Sequence, residues 1–260
     1  MAEIETIRID ADKLCAGVAK AAARSADPIL CLVRQESVQF VAVSGLRLVV
    51  SWETRQSRAA SNVAFLIPPL MAELLSTEAI CRQVAVEFMV HGTTAICRLT
   101  DHLGNYDLRW KSDLASFPTP HAFGQIIQVP DNLIEVAYLR FSDAVHESVA
   151  KLAQMEADAE VSRSKLAILI DLDFGRLKVN GEEIVKSESR QYYFDPRLVI
   201  RALEFLKERN IRVGITPLPG DRQAYLSLLS DDEGWRVHCS LLSIGMDTQR
   251  LYPLPPGRDR

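Results

Sequence analysis

The order of secondary-structure signals in this chain is written twice, and that duplication limits the possible folds more than any single motif does. In the first half, alternation over residues 4–9 predicts a strand. Asp10 then caps a helix over 11–24 with Leu14, Cys15, Val18 and Ala22 facing inward. Period-two stretches rich in β-branched residues predict strands at 29–34, 38–43 and 46–52, with Ser44-Gly45 turning between the last two. A strand at 63–67 leads into Pro68-Pro69 and a short helix over 70–77. Strands at 84–90, 95–99 and 106–111 complete the half, with His91-Gly92 and Leu103-Gly104-Asn105 at the turns.

The second half repeats that order. A strand is expected at 136–141, a cap at Ser142-Asp143, and a helix over 144–157 with Val145, Val149 and Leu152 inward. Strands at 166–173 and 176–179 form a hairpin, and Asn180-Gly181 turns into 182–187, since this pair favours the tight turn of a hairpin. After a strand at 191–194, Asp195 caps and Pro196 opens a helix running to about 209. Strands at 211–216, 224–230 and 235–242 close the half. The first helices start near 11 and 144 and the second near 69 and 196, offsets of about 133 and 127. Helices this far apart cannot serve as crossovers for every strand, so the sheets are expected to be mostly antiparallel and the class α+β. Two duplicated domains follow, 1–118 and 136–260, joined by a linker at 119–135, the second ending in a Pro-rich tail.

Composition narrows the function classes. The 260 residues are 48% hydrophobic and 25% charged, with a net charge of −4, so neither a disordered chain nor a general nucleic-acid coat fits. No apolar window is long enough for a transmembrane helix, and Met-Ala-Glu-Ile-Glu lacks the basic start and apolar run of a secretory signal. Cys15, Cys31, Cys81, Cys97 and Cys239 are odd in number and widely spaced, which points to reduced core thiols and a cytoplasmic location.

Catalytic motifs do not assemble. Asp171-Leu172-Asp173-Phe174-Gly175 contains the Asp-Phe-Gly triplet of kinases, but no phosphate loop or catalytic loop accompanies it, and Asp171 and Asp173 read as the outer face of a hairpin strand. The histidines at 91, 102, 121, 146 and 238 show no metal-ligand spacing. A non-enzymatic protein without cofactor or metal is expected; an enzyme with a cleft between the halves is the third reading.

Three stretches carry a family resemblance. Pro28-Ile29-Leu30 followed by strands at 38–43 and 46–52, Phe65-Leu66-Ile67-Pro68 before a Leu-rich helix with a later Phe117-Pro118, and Tyr193-Phe194-Asp195-Pro196 before the helix at 198–206 together resemble the DNA sliding clamp family. That family includes the bacterial polymerase β clamp and proliferating cell nuclear antigen. The resemblance covers most of the chain outside about 119–135 and 156–165. It implies domains whose two helices lie on the concave side of a ring. Bacterial clamps carry three domains per chain and this chain has room for two. If six domains close a ring, the resemblance implies a homotrimer. It also implies a processivity factor that encircles duplex DNA and tethers a polymerase or other DNA enzyme.

A ring that slides needs phosphate contacts without base readout, which basic helix faces supply. Lys13, Gly17, Lys20 and Arg24 fall on one stripe of the first helix, Lys151 lies on the third, and Arg197 and Arg201 share a stripe of the last. Lys13, Lys20, Arg24, Lys151, Arg197 and Arg201 are therefore the candidate DNA-facing residues; an ordinary solvated helix face is the competing reading. Clamps also hold partners in a hydrophobic pocket, for which Leu218, Leu242, Ile244 and Met246 are candidates, with core packing as the alternative. The tail Gln249-Arg250-Leu251-Tyr252-Pro253-Leu254 vaguely resembles a clamp-binding peptide. The alternative function is a clamp-fold adaptor that binds proteins without encircling DNA.

Overall fold

The computed structural model describes residues 5–44, 47–56, 62–77, 80, 85–101, 104–117, 129–157, 166–173, 176–184, 191–206, 210–218 and 223–244. The first repeat runs β1 (Glu5–Asp10), α1 (Ala11–Ala22), β2 (Ile29–Val33), β3 (Ser37–Ser44), β4 (Leu48–Arg55), β5 (Val63–Ile67), α2 (Pro69–Leu75), β6 (Ala85–His91), β7 (Thr94–Asp101) and β8 (Gly104–Lys111). The second runs β9 (Ile134–Ala137), α3 (Tyr138–Ala157), β10 (Leu166–Asp173), β11 (Arg176–Glu183), β12 (Tyr193–Phe194), α4 (Pro196–Leu203), β13 (Asn210–Pro217), β14 (Ala224–Asp232) and β15 (Trp235–Leu242). The chain forms two compact units, one of Met1–Val129 with Leu229–Ser240, the other of Pro130–Leu228 with Leu241–Arg260.

In the first unit β1-β6-β7-β8 form one sheet, and β5-β2-β3-β4 form another in which β15 lies beside β4. The first sheet alternates cleanly. Ile7, Ile9, Val86, Phe88, Ala95, Cys97 and Trp110 are buried, while Arg8, Glu87, Arg98 and Asp107 stand directly opposite one another on the other face. Those charges form a ladder with closest approaches of 3.7, 3.6 and 3.0 Å. The Arg98 hydrogen bond holds the Asp107 carboxyl below its ordinary range. β2 instead reads as a continuous apolar run because it lies inside its sheet between β3 and β5. The two sheets meet at Leu66 of the β5 edge. Its N–H donates to Ser112 Oγ at 2.8 Å and its carbonyl accepts from Trp110 Nε1 at 2.5 Å. Phe65, Phe88 and Trp110 pack around that junction. The second unit holds the sheet β11-β10-β12 and the run β14-β13-β9. Every described strand register is antiparallel.

Several local expectations are corrected. Residues 138–141, expected as strand, are the first turn of α3, because Phe141, Val145, Ser148 and Leu152 recur at helical spacing and are all buried. With that start, α3 follows α1 by 138 − 11 = 127 residues, and α4 follows α2 by 196 − 69 = 127. The duplication is more regular than the sequence pattern alone indicates. On α1 the inward residue is Ala21, and Ala22 is exposed. Helix α4 ends at Leu203, short of 209, and Phe205 and Leu206 turn inward to be buried. Asn180-Gly181 is not a turn. Both residues lie inside β11, in register with Leu169 and Ile168. Gly181 is needed there because α3 lies on it, and a Cβ would sit 2.3 Å from the Ser148 carbonyl oxygen. Positive φ angles occur instead at Gly92 (56°) between β6 and β7, and at Glu233 (47°) and Gly234 (83°) between β14 and β15. The Phe174-Gly175 part of the kinase-like triplet lies outside the described residues.

Gly17 plays the matching part in the first repeat. It is buried on α1 above β3, where an added Cβ would come within 2.2 Å of the Phe40 ring. Replacing glycine in a helix normally adds about 1 kcal/mol of stability. Here Gly17→Ala is expected to lower stability by about 1–3 kcal/mol, because the buried ring must move. Urea unfolding at pH 7 measures the sign.

β15 buries His238, and that burial, with the nearby Arg236 charge, pushes its imidazolium pKa down to about 4 from an ordinary 6.5. Between those values the unfolded chain binds a proton that the folded chain does not. Stability conferred by the neutral ring is therefore complete above pH 6.5 and falls as pH drops toward 4, by on the order of 3 kcal/mol. Urea midpoints across this range should show that slope, and His238→Gln should remove about one proton from it.

Candidate nucleic-acid interface

Each unit carries one pair of packed helices. In the first, the Cys15 thiol of α1 donates to the Leu75 carbonyl at the end of α2 at 3.2 Å. In the second, the Tyr138 hydroxyl of α3 donates to the Leu203 carbonyl of α4 at 3.2 Å. The candidate bases lie on three of these four helices, and their surroundings differ.

On α1, Lys13 is half-buried and pairs with its neighbour Asp12 at 3.2 Å. Lys20 does not project freely. Its ammonium sits 5.7 Å above the centre of the Trp235 ring, a cation–π contact with a ring that also packs on Phe40. Arg24 lies just past the helix end and is exposed. Lys151 of α3 is exposed and donates to Asn180 Oδ1 at 2.9 Å. At the start of α4, Asp195 caps the helix by accepting from the Arg197 N–H at 2.9 Å. The same carboxylate takes the Arg197 guanidinium through Nε at 3.2 Å and Nη2 at 2.9 Å, which raises the Arg197 pKa further. Arg201 is exposed in the last turn, where a cation also suits the helix dipole.

The 127-residue offset reveals a base that sequence reasoning missed. It aligns Lys13 with Arg140, Lys20 with Glu147, and Arg24 with Lys151. Arg140 is exposed on the first turn of α3, the turn misread as strand. The buried spacing from Phe141 to Leu152 was the signal that would have exposed it. The same offset aligns Leu70 and Leu74 of α2 with Arg197 and Arg201 of α4. Both leucines are exposed, at 65% and 40%. The four helices carry six bases against five acids within their own bounds, a net of +1 on a chain of −4.

Of the pocket candidates, Leu218 follows β13 and is half-buried, its N–H donating to the Gln223 carbonyl at 2.8 Å. Leu242 ends β15 and is half-buried. Ile244 bridges to Tyr193 and packs on Ala167, Leu169 and Tyr193. Met246 and the tail at 249–254 lie outside the described residues. Cys15, Cys31, Cys97 and Cys239 are buried; burial raises the Cys31, Cys97 and Cys239 thiols, that of Cys97 to about 12, so these three stay protonated at neutral pH. Among the described residues no helix is long and apolar enough to cross a membrane.

No protein-family model matches this chain, and no curated protein does. Solved structures do. A DNA polymerase III β subunit from Thermotoga maritima is 13% identical, with a TM-score of 0.56 over 92% of this chain and 65% of that one. A putative DNA polymerase III β subunit from Eubacterium rectale is 12% identical, with a TM-score of 0.53 over 95% and 67%. A DNA polymerase sliding clamp from Pseudomonas aeruginosa is 11% identical, with a TM-score of 0.55 over 92% and 66%. The chain thus spans about two thirds of the length of the clamps it resembles. Its fold is α+β and clamp-like.

The cation–π contact generates a test. Lys20→Glu should lower stability by about 1–2 kcal/mol, because an anion is repelled by the ring face. Arg201→Glu, on an exposed helix surface, should stay within about 0.5 kcal/mol of the parent. Paired denaturation curves distinguish the two sites.

Proposed function

We propose that this chain is a sliding clamp built of two domains, 1–118 and 136–260 with a linker at 119–135, and that three copies close a ring around duplex DNA. The carrying observation is that a clamp-like fold accounts for nearly the whole chain, with the helix pairs of its two halves set at one constant offset. The ring acts without catalysis, tethering a polymerase or other DNA enzyme in the cytoplasm. The DNA-facing set is Lys13, Lys20, Arg24, Lys151, Arg197 and Arg201, to which the repeat adds Arg140. Leu218, Leu242, Ile244 and Met246 hold the partner. A helix layer close to charge balance suits a ring that must slide, since each phosphate contact adds affinity and steepens the salt dependence.

A second reading is favoured by one observation. Leu70 and Leu74 are exposed where the other repeat places arginines, and exposed leucines on a helix suit a protein partner better than a phosphate backbone. An adaptor that binds proteins without encircling DNA fits that face.

Light scattering separates the two. The ring predicts a solution mass of about 87 kDa, three times the 29.0 kDa of one chain. A mass of one or two chains at all concentrations favours the adaptor.

A further inference from the structure

The inner sheets of the two repeats differ by one strand. In the first, β4 follows β3, and β15 lies beside β4. Thr54 Oγ1 donates to the Gly234 carbonyl at 2.9 Å, and Arg236 lies 3.9 Å from Glu53. The end of β4 therefore meets the start of β15, and the two strands are antiparallel. In the second repeat the counterpart of β3 is β11, and among the described residues β11 is the outermost strand of its sheet. Residues 45–62 separate β3 from β5 and contain β4, whereas only 184–192 separate β11 from β12. Nine residues, at about 3.4 Å each, cannot supply an eight-residue strand and still return across the sheet to β12. The second repeat has lost the strand that receives β15 in the first.

β8 is the first repeat's counterpart of β15, and it too is outermost in its sheet among the described residues. Its edge carries complementary chemistry to that of β11. The charge ladder Arg8, Glu87, Arg98, Asp107 ends on β8 with an anion. On β11 the exposed Lys178 stands opposite Asp171 of β10, so Lys178 and Asp171 would continue the alternation in sign. Tyr106 is 45% exposed beside half-buried Leu108, and Leu177 and Val179 are half-buried on the α3 side of β11. These edges belong to separate sheets within one chain, so their partner is another copy.

Direction follows from the missing strand. β4 is antiparallel to β3, and β15 is antiparallel to β4, so a strand of the β15 type set straight against the β3 counterpart runs parallel to it. With Asp107 opposite Lys178, parallel pairing also places Lys111 opposite Glu182, and sets Tyr106 and Leu108 beside Leu177 and Val179. Antiparallel pairing about the same centre opposes Asp107 to Glu182 and Lys111 to Lys178, two like-charge pairs that disfavour it. We propose that β8 of one copy docks parallel to β11 of a second copy, joining the two sheets through Asp107–Lys178 and Lys111–Glu182. The inference rests on the ring reading, because a head-to-tail contact of this kind repeats until it closes.

The test is the mass of the full chain against concentration, for charge reversals and their swaps. D107K and K178D should each weaken self-association roughly tenfold, and the D107K/K178D double variant should recover most of that loss. K111E, E182K and their double variant should repeat the pattern at a second position, independently of the Arg98 contact to Asp107. An assembled parent whose mass ignores all four reversals, or doubles no better than singles, overturns this pairing while leaving a ring closed through another surface. A parent that stays at 29.0 kDa throughout overturns both.

Discussion

Helix and sheet can lie in contact in each repeat only because one side of the contact lacks a Cβ. In the first repeat the gap is on the helix, where Gly17 lies on the Phe40 ring; in the second it is on the strand, where Gly181 lies under the Ser148 carbonyl. The same spacing is thus reached from opposite sides, which is how a duplicated scaffold diverges to low sequence similarity without losing its architecture. From that contact follow the burial of Leu14 and Val18, of Val145 and Leu152, and the placement of basic residues on the remaining helix surface.

Much of this architecture is legible in the residue pattern. The cap and proline at Asp195-Pro196, the turn at His91-Gly92 and the alternation of β6 each depend on neighbours only a few residues away, and each forms as read. What the pattern conceals depends on distant partners. Asn180-Gly181 carries the strongest local turn signal in the chain, yet the glycine is used for a helix 30 residues upstream, and the strand runs through it. Tyr138 to Phe141 alternate well enough to pass for strand, and only the burial of α3 against β11 decides for helix.

The candidate site was legible in the same uneven way. The bases on α1, α3 and α4 are visible in sequence, but their engagements are not. Lys20 is held over Trp235, which lies 215 positions along the chain, and Arg197 is folded onto the carboxylate that caps its own helix. Arg140 was hidden by a misplaced helix start. A helix layer with six bases and five acids, some already paired, attracts a polyanion weakly and without register. Weak, unregistered attraction suits topological linkage, in which the ring stays on DNA because it is threaded and not because it grips.

Threading is therefore the central claim, and retention on DNA of different topology tests it most directly. Assembled on nicked circular duplex at a salt concentration high enough to abolish contact binding, the protein should remain with the DNA through gel filtration and be released when the circle is cut once. Equal loss from intact and cut circles, or equal retention on both, would contradict the account.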